Sequence, residues 1–138
     1  MADNGGSNYQ FLHTMLRVRD LDKSLDFYTR MLGMELLRRR DFEGGRFTLA
    51  FVGYGPENTH TVLELTHNWD QEEDYDQGSA FGHLAVAVPD VYATCAALEA
   101  EGVSIPRPAG PMKFGDGKTH MAFIEDPDGY KIELIQRA

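Results

Sequence analysis

The chain says one thing twice, and any fold it adopts must accommodate that duplication. An apolar, strand-like run, Phe11-Leu-His-Thr-Met-Leu-Arg-Val18, carries His13, and a second, Phe81-Gly-His-Leu-Ala-Val-Ala-Val88, carries His83. The stretch from His13 to Leu21 lies over His83 to Val91 at a constant offset of 70 residues. Near the far end of each copy, Val62-Leu-Glu-Leu65 and Lys131-Ile-Glu-Leu134 place Glu64 and Glu133 at an offset of 69. Each copy must therefore be a complete supersecondary unit with its own strands and helix. Because a histidine and a glutamate are duplicated along with the apolar pattern, the repeat points to a metal site built by symmetry.

Hydrophobic periodicity fills in the units. Apolar or alternating patterns predict strands near 11–18, 46–53, 61–67, 81–88, 119–125 and 130–136, with weaker candidates at 34–40 and 103–107. Helical spacing of Leu21, Leu25, Tyr28 and Leu32 predicts a helix from about Asp22 to Leu32, stopped at Gly33. An alanine-rich stretch from about Val91 to Glu101, stopped by Gly102, predicts a second. The expected fold is α+β, two βαβββ modules at about 11–69 and 81–136 within a single domain over 11–138. Residues 1–10 are expected to form a flexible tail.

At 138 residues, with 42% hydrophobic content, the chain can bury a core of that size. It has no apolar run long enough to span a membrane, and its first eight residues do not read as a signal peptide. Cys95 is the only cysteine, so no internal disulfide forms; this suits a reducing cytoplasm. Flanked by Ala96, Ala97 and Leu98, Cys95 reads as a small buried hydrophobe rather than a nucleophile. A net charge of −9 argues against nucleic acid and anionic membrane as partners. An anionic small substrate would then need a local cluster of cations.

Imidazole and carboxylate donors together suit nickel, cobalt, zinc, iron or manganese, and suit calcium and magnesium poorly. Two histidines and two glutamates leave room in an octahedral shell for substrate. Large apolar residues flank Glu64 and Glu133, so alternation places each glutamate on the sheet face opposite its neighbours. Unpaired carboxylates there would be costly, and a cation would offset that cost. His60, His67 and His120 have no partner at the repeat offset and are expected in surface or supporting roles. The Arg38-Arg-Arg40 run reads as a solvated strand edge outside the site.

Five segments then carry a resemblance: Leu12-His-Thr-Met-Leu-Arg17, Phe51-Val-Gly-Tyr-Gly-Pro56, Leu63-Glu-Leu-Thr-His-Asn-Trp69, Phe81-Gly-His-Leu84 and Glu125-Asp-Pro-Asp-Gly-Tyr-Lys-Ile-Glu-Leu134. In this order they resemble the glyoxalase I (lactoylglutathione lyase) family of the vicinal-oxygen-chelate superfamily. The resemblance implies a metal-dependent lyase. Its activity would be isomerisation of the methylglyoxal–glutathione hemithioacetal to S-D-lactoylglutathione through an enediolate, detoxifying methylglyoxal. It implies a homodimer, with His13 and Glu64 of one subunit meeting His83 and Glu133 of the other. Similarity to the short bacterial-type enzymes implies nickel in preference to cobalt or zinc. The family pattern assigns Glu133 as the base, and Glu64, at the symmetry-related place, would serve the opposite enantiomer. It assigns Arg17, Asn68, His83 and Lys118 to substrate contact, with Lys113 as the alternative to Lys118 for the glycyl carboxylate.

The chain departs from that pattern in three places. Asp70 follows Trp69 where relatives often carry glycine, and the acidic loop before His83 is one residue longer. Ser79 stands where animal-type relatives have an arginine, and the Met112–His120 loop is slightly expanded. These changes leave the thiol open between glutathione and another, such as trypanothione. Among proteins of the same fold class, four aligned ligands disfavour a metal-free binding protein of the bleomycin-resistance type, and Glu64 is one ligand too many for an extradiol dioxygenase. An acyl-coenzyme A epimerase would be the strongest rival without Arg17 and Asn68.

Overall fold

Two aspartates start the helices, two glycines end them, and both pairs obey the sequence repeat. In the computed structural model, which describes residues 6–137, Asp20 accepts a hydrogen bond from the Lys23 backbone N–H at 3.1 Å. Asp90 accepts from Tyr92 and Ala93 at 3.0 and 3.1 Å. Each satisfies donors that the first helical turn leaves unpaired. Gly33 and Gly102 then leave the helices at φ +76° and +83°, a conformation only glycine adopts without strain.

The first unit, which ends at Glu73, runs β1 (His13–Arg17), α1 (Leu21–Asp26), β2 (Glu35–Phe42), β3 (Phe47–Gly53) and β4 (Val62–Asn68). Its sheet has the order β1-β4-β3-β2, with β1 parallel to β4 and the rest antiparallel. The second unit, from Asp74, repeats the plan with β5 (Leu84–Val88), α2 (Val91–Ala100), β6 (Arg107–Pro111), β7 (His120–Glu125) and β8 (Lys131–Gln136). Its order is β5-β8-β7-β6, again with one parallel pair, β5 and β8. The fold is α+β with two βαβββ units. The first five residues of the expected tail lie outside the described residues; Gly6–Asn8 form a short 3₁₀ turn.

Each unit has its own core. Leu16, Ala50, Val52, Leu63 and Leu65 form one sheet face and are buried, as are Leu21, Phe27 and Tyr28 of the helical segment. In the second unit Ala122, Ile124, Ile132 and Leu134 are buried, together with Val91, Cys95 and Leu98 of α2. Cys95 is thus the apolar residue expected, and burial pushes its thiol pKa up, away from nucleophilic use.

Two expectations shift. The helix predicted over 22–32 is α-helical only to Asp26 and continues as a π-helical turn, Phe27–Met31. The weak strand at 103–107 is displaced to 107–111, over Arg-Pro-Ala-Gly-Pro. Prolines are tolerated there because β6 is an edge strand, and its ladder is bulged between Arg107 and Gly110.

Candidate metal centre

Register, not chain proximity, brings the first pair of donors together. Parallel pairing sets His13 opposite Val62, Met15 opposite Glu64 and Arg17 opposite Thr66, so His13, Glu64 and Arg17 share one sheet face. Antiparallel pairing adds Phe51 opposite Glu64 and Phe47 opposite Asn68 to the same face. His13 Nε2 lies 3.2 Å from Glu64 Oε2. The imidazole also meets the Phe51 ring edge-to-face at 5.5 Å between centroids.

The second unit builds the same arrangement. The β7–β8 turn is fixed by Asp126, whose carboxylate accepts from the Asp128 and Tyr130 backbone N–H groups at 2.9 Å each. Gly129 supplies the positive φ of +87° that closes it. That turn sets Glu133 opposite both Phe123 and Ala85. His83, one residue before β5, has its Nε2 3.6 Å from Glu133 Oε1 and its ring edge-on to Phe123 at 5.1 Å. The glutamate side chains are only 17% and 14% exposed, so each carboxylate is largely withdrawn from water with one imidazole beside it.

These spacings fit coordination. Donors about 2.1 Å from one centre lie about 3.0 Å apart at a right angle and about 3.4 Å apart at the tetrahedral angle. The observed 3.2 and 3.6 Å are therefore close to what adjacent vertices of one shell require. Each unit brings one imidazole nitrogen and one carboxylate oxygen together. Among the described residues no three histidine, cysteine or acidic side chains gather as a ligand group.

Residues 10–134 match the Glyoxalase/Bleomycin resistance protein/Dioxygenase superfamily. The chain belongs to this superfamily. It is 62% identical to the lactoylglutathione lyase of Neisseria meningitidis serogroup A, over 93% of this chain and 91% of that one. It is 50% identical to the lactoylglutathione lyase of Escherichia coli O157:H7, over 92% of each chain. Among solved superfamily structures, glyoxalase I from Zea mays superposes with a TM-score of 0.88 at 47% identity, covering 94% of this chain and 45% of the maize chain. The trypanothione-dependent glyoxalase I of Leishmania major gives 0.80 at 44% identity, covering 93% and 86%.

The remaining expected site residues fall in two groups. Arg17 and Asn68 lie on the ligand face of the first sheet, four residues along their strands from His13 and Glu64. Lys113 and Lys118 lie on the exposed β6–β7 tip, where Gly115 and Gly117 have positive φ and Phe114 is exposed. The histidines without a repeat partner lie beside other groups: His60 bonds Thr59, His67 faces the Val18 carbonyl at 3.4 Å, and His120 bonds the Tyr92 hydroxyl at 2.6 Å. Asp70 pairs at 2.7 and 2.8 Å with Arg46, whose φ is +55°. The arginine's two donated bonds hold the Asp70 carboxyl below the usual range.

Arg38, Arg39 and Arg40 lie exposed on the edge strand β2, as the sequence suggested, and the structure adds a neighbour that the pattern did not show. A bulge between Leu36 and Arg38 puts Arg38 opposite Phe51, on the ligand face. Its guanidinium lies 3.7 Å from the Phe51 ring centroid. Its Nε and Nη2 donate to the two Glu57 oxygens at 2.7 and 3.0 Å. Those bonds hold the Glu57 carboxyl below its ordinary range and raise the arginine further. Arg38 and Phe51 line a basic and aromatic pocket together with Arg39, Arg40, Phe42 and Leu49. Alternation counted without the bulge would have chosen Leu37 and Arg39 instead.

Proposed function

We infer that this chain is a metal-dependent lactoylglutathione lyase, acting on the hemithioacetal that methylglyoxal and glutathione form spontaneously and yielding S-D-lactoylglutathione. The observation that carries the reading is the duplicated His–Glu pair, at adjacent-vertex spacing and equivalent register on two sheets. The names of relatives that match over nearly the whole chain support the substrate. The activity removes a reactive aldehyde.

His13, Glu64, His83 and Glu133 hold the cation, with nickel preferred over cobalt or zinc. A divalent cation held there supplies a Lewis acid that stabilises negative charge developing on two adjacent substrate oxygens. Glu133 takes the proton from one carbon and returns it to the next, giving and consuming the enediolate. Glu64, in the equivalent place, serves the opposite substrate enantiomer. Arg17 and Asn68 receive the glutamyl end of glutathione, Arg17 by paired charge-assisted bonds. Lys118 on the β6–β7 tip meets the glycyl carboxylate, and His83 borders the reacting carbons.

Each unit presents two donors, and a working centre needs four. By the arrangement that the family resemblance implies, His13 and Glu64 of one copy face His83 and Glu133 of a second, and on that reading the active form is a homodimer with two centres. Exposed Tyr9, Phe11 and Leu12 just before the edge strand β1, and Met15 within it, supply apolar surface for such an association. No helix among the described residues is long and apolar enough to cross a membrane. With the single buried Cys95, we place the enzyme in the cytoplasm.

The test is reconstitution. Metal-free protein receives nickel, cobalt or zinc singly, and thioester formation from methylglyoxal is followed with glutathione and, in parallel, trypanothione. Activity is expected with glutathione, highest with nickel, at one metal per chain. Inactivity with every metal at verified occupancy would end the lyase reading; preference for trypanothione would change the thiol alone.

A further inference from the structure

We propose that Arg38, clamped by Glu57 and laid across Phe51, is a positioning residue that holds the His13 imidazole in its ligand-presenting orientation. The proposal rests on the reading of His13 as a metal ligand. His13 is the first residue of β1, an edge strand, and its side chain is 33% exposed. Backbone pairing alone therefore restrains the ring weakly. What restrains it is a stack: Glu57 grips Arg38 at two oxygens, Arg38 covers Phe51, Phe51 meets the imidazole edge-on, and the imidazole faces Glu64.

The chemistry requires each member. Only a planar guanidinium can lie flat on a ring and bond a carboxylate bidentately at the same time. Phe51 is 3% exposed, so with the guanidinium in place its ring has little freedom to swing. Glu57 is itself anchored, its backbone carbonyl accepting from Gln10 Nε2 at 2.9 Å. The second unit shows that the contact is not a by-product of the repeat. Arg107 occupies the same register place, opposite Phe123. There the guanidinium donates instead to the carbonyls of Pro108, Gly110, Pro111 and Met121.

The test must separate position from charge, because removing a cation near a metal site raises metal affinity by itself. The double variant Arg38→Ala/Glu57→Gln removes the clamp without changing net charge. Nickel affinity of the metal-free protein is measured by competition with a chromophoric chelator, and the His13 ring resonance is followed by NMR. The variant is expected to bind nickel about threefold to tenfold more weakly, less than the tenfold to hundredfold loss on removing a group bonded directly to a ligand. The His13 resonance should shift or broaden. Arg38→Lys, which keeps the charge but not the plane, should resemble the double variant. Arg39→Lys, which keeps the charge at a neighbouring arginine lying 3.8 Å from Asp22, should bind like the wild type. If thermal unfolding shows the double variant to be unfolded, Phe51→Leu tests the same link and should weaken binding as much. Wild-type affinity with an unmoved His13 resonance would overturn the proposal. Unchanged affinity in His13→Ala would instead overturn the metal-ligand reading beneath it.

Discussion

The two units use one plan and differ in how they brace it. Both set a glutamate opposite a phenylalanine and an arginine opposite that same phenylalanine, with a histidine edge-on to the ring. In the first unit the arginine stays on the ligand face, stacked and clamped, and the His–Glu spacing is 3.2 Å. In the second it turns into its own strand, closing a bulge with four carbonyl bonds, and the spacing is 3.6 Å. The repeat thus keeps the His–Glu pair in both units while the arginine beside it makes different contacts in each. The two glutamates therefore sit in equivalent places with unequal surroundings.

The largest expected effect breaks the symmetry of the glutamates. Glu133→Gln should retain metal and lose about 10²–10⁴-fold in kcat, the usual contribution of a positioned general base. Glu64→Gln should lose substantially less with the hemithioacetal enantiomer that Glu133 serves, measured alongside metal content. Equal losses would mean that both carboxylates move protons or that neither does, and the assignment of Glu133 would fall.

Much of this was legible in the sequence because it follows from period. The offsets of 70 and 69 bring each histidine beside its glutamate, and alternation puts Glu64 and Glu133 on the face opposite their apolar neighbours, where the sheets place them. What was hidden depends on broken period. Simple alternation from Leu36 points Leu37 and Arg39 toward the ligand face, and one bulge substitutes Arg38 and Arg40. Strand β6 lies a few residues beyond its expected place, over two prolines that only an edge strand with a bulge accommodates. The π turn at Phe27–Met31 leaves the apolar spacing of a helix intact and so gave no signal.

The arginines offer the next comparison. Arg107→Ala removes four charge-assisted bonds to carbonyls around a bulge and should destabilise the fold by about 1–3 kcal/mol, read as a shift in the urea midpoint. Arg38→Ala, from an exposed pair, should shift that midpoint much less. The reverse order would mean that Arg38 braces the first sheet itself, and not the imidazole.

The smallest effect concerns the helix ends, where the units should agree. Gly33→Ala and Gly102→Ala each force an L side chain into positive φ, and a Cβ at either place meets nothing within 4 Å. The cost is therefore conformational alone, about 1–2 kcal/mol at each site. Gly33 follows a π turn and bonds back to the Thr29 carbonyl, whereas Gly102 follows a regular α-helix and bonds to Glu99. Equal shifts in thermal midpoint would show that the positive φ governs both helix ends. A markedly smaller loss at Gly33 would show that the wider π turn relaxes to accommodate the new side chain, a freedom the second helix lacks.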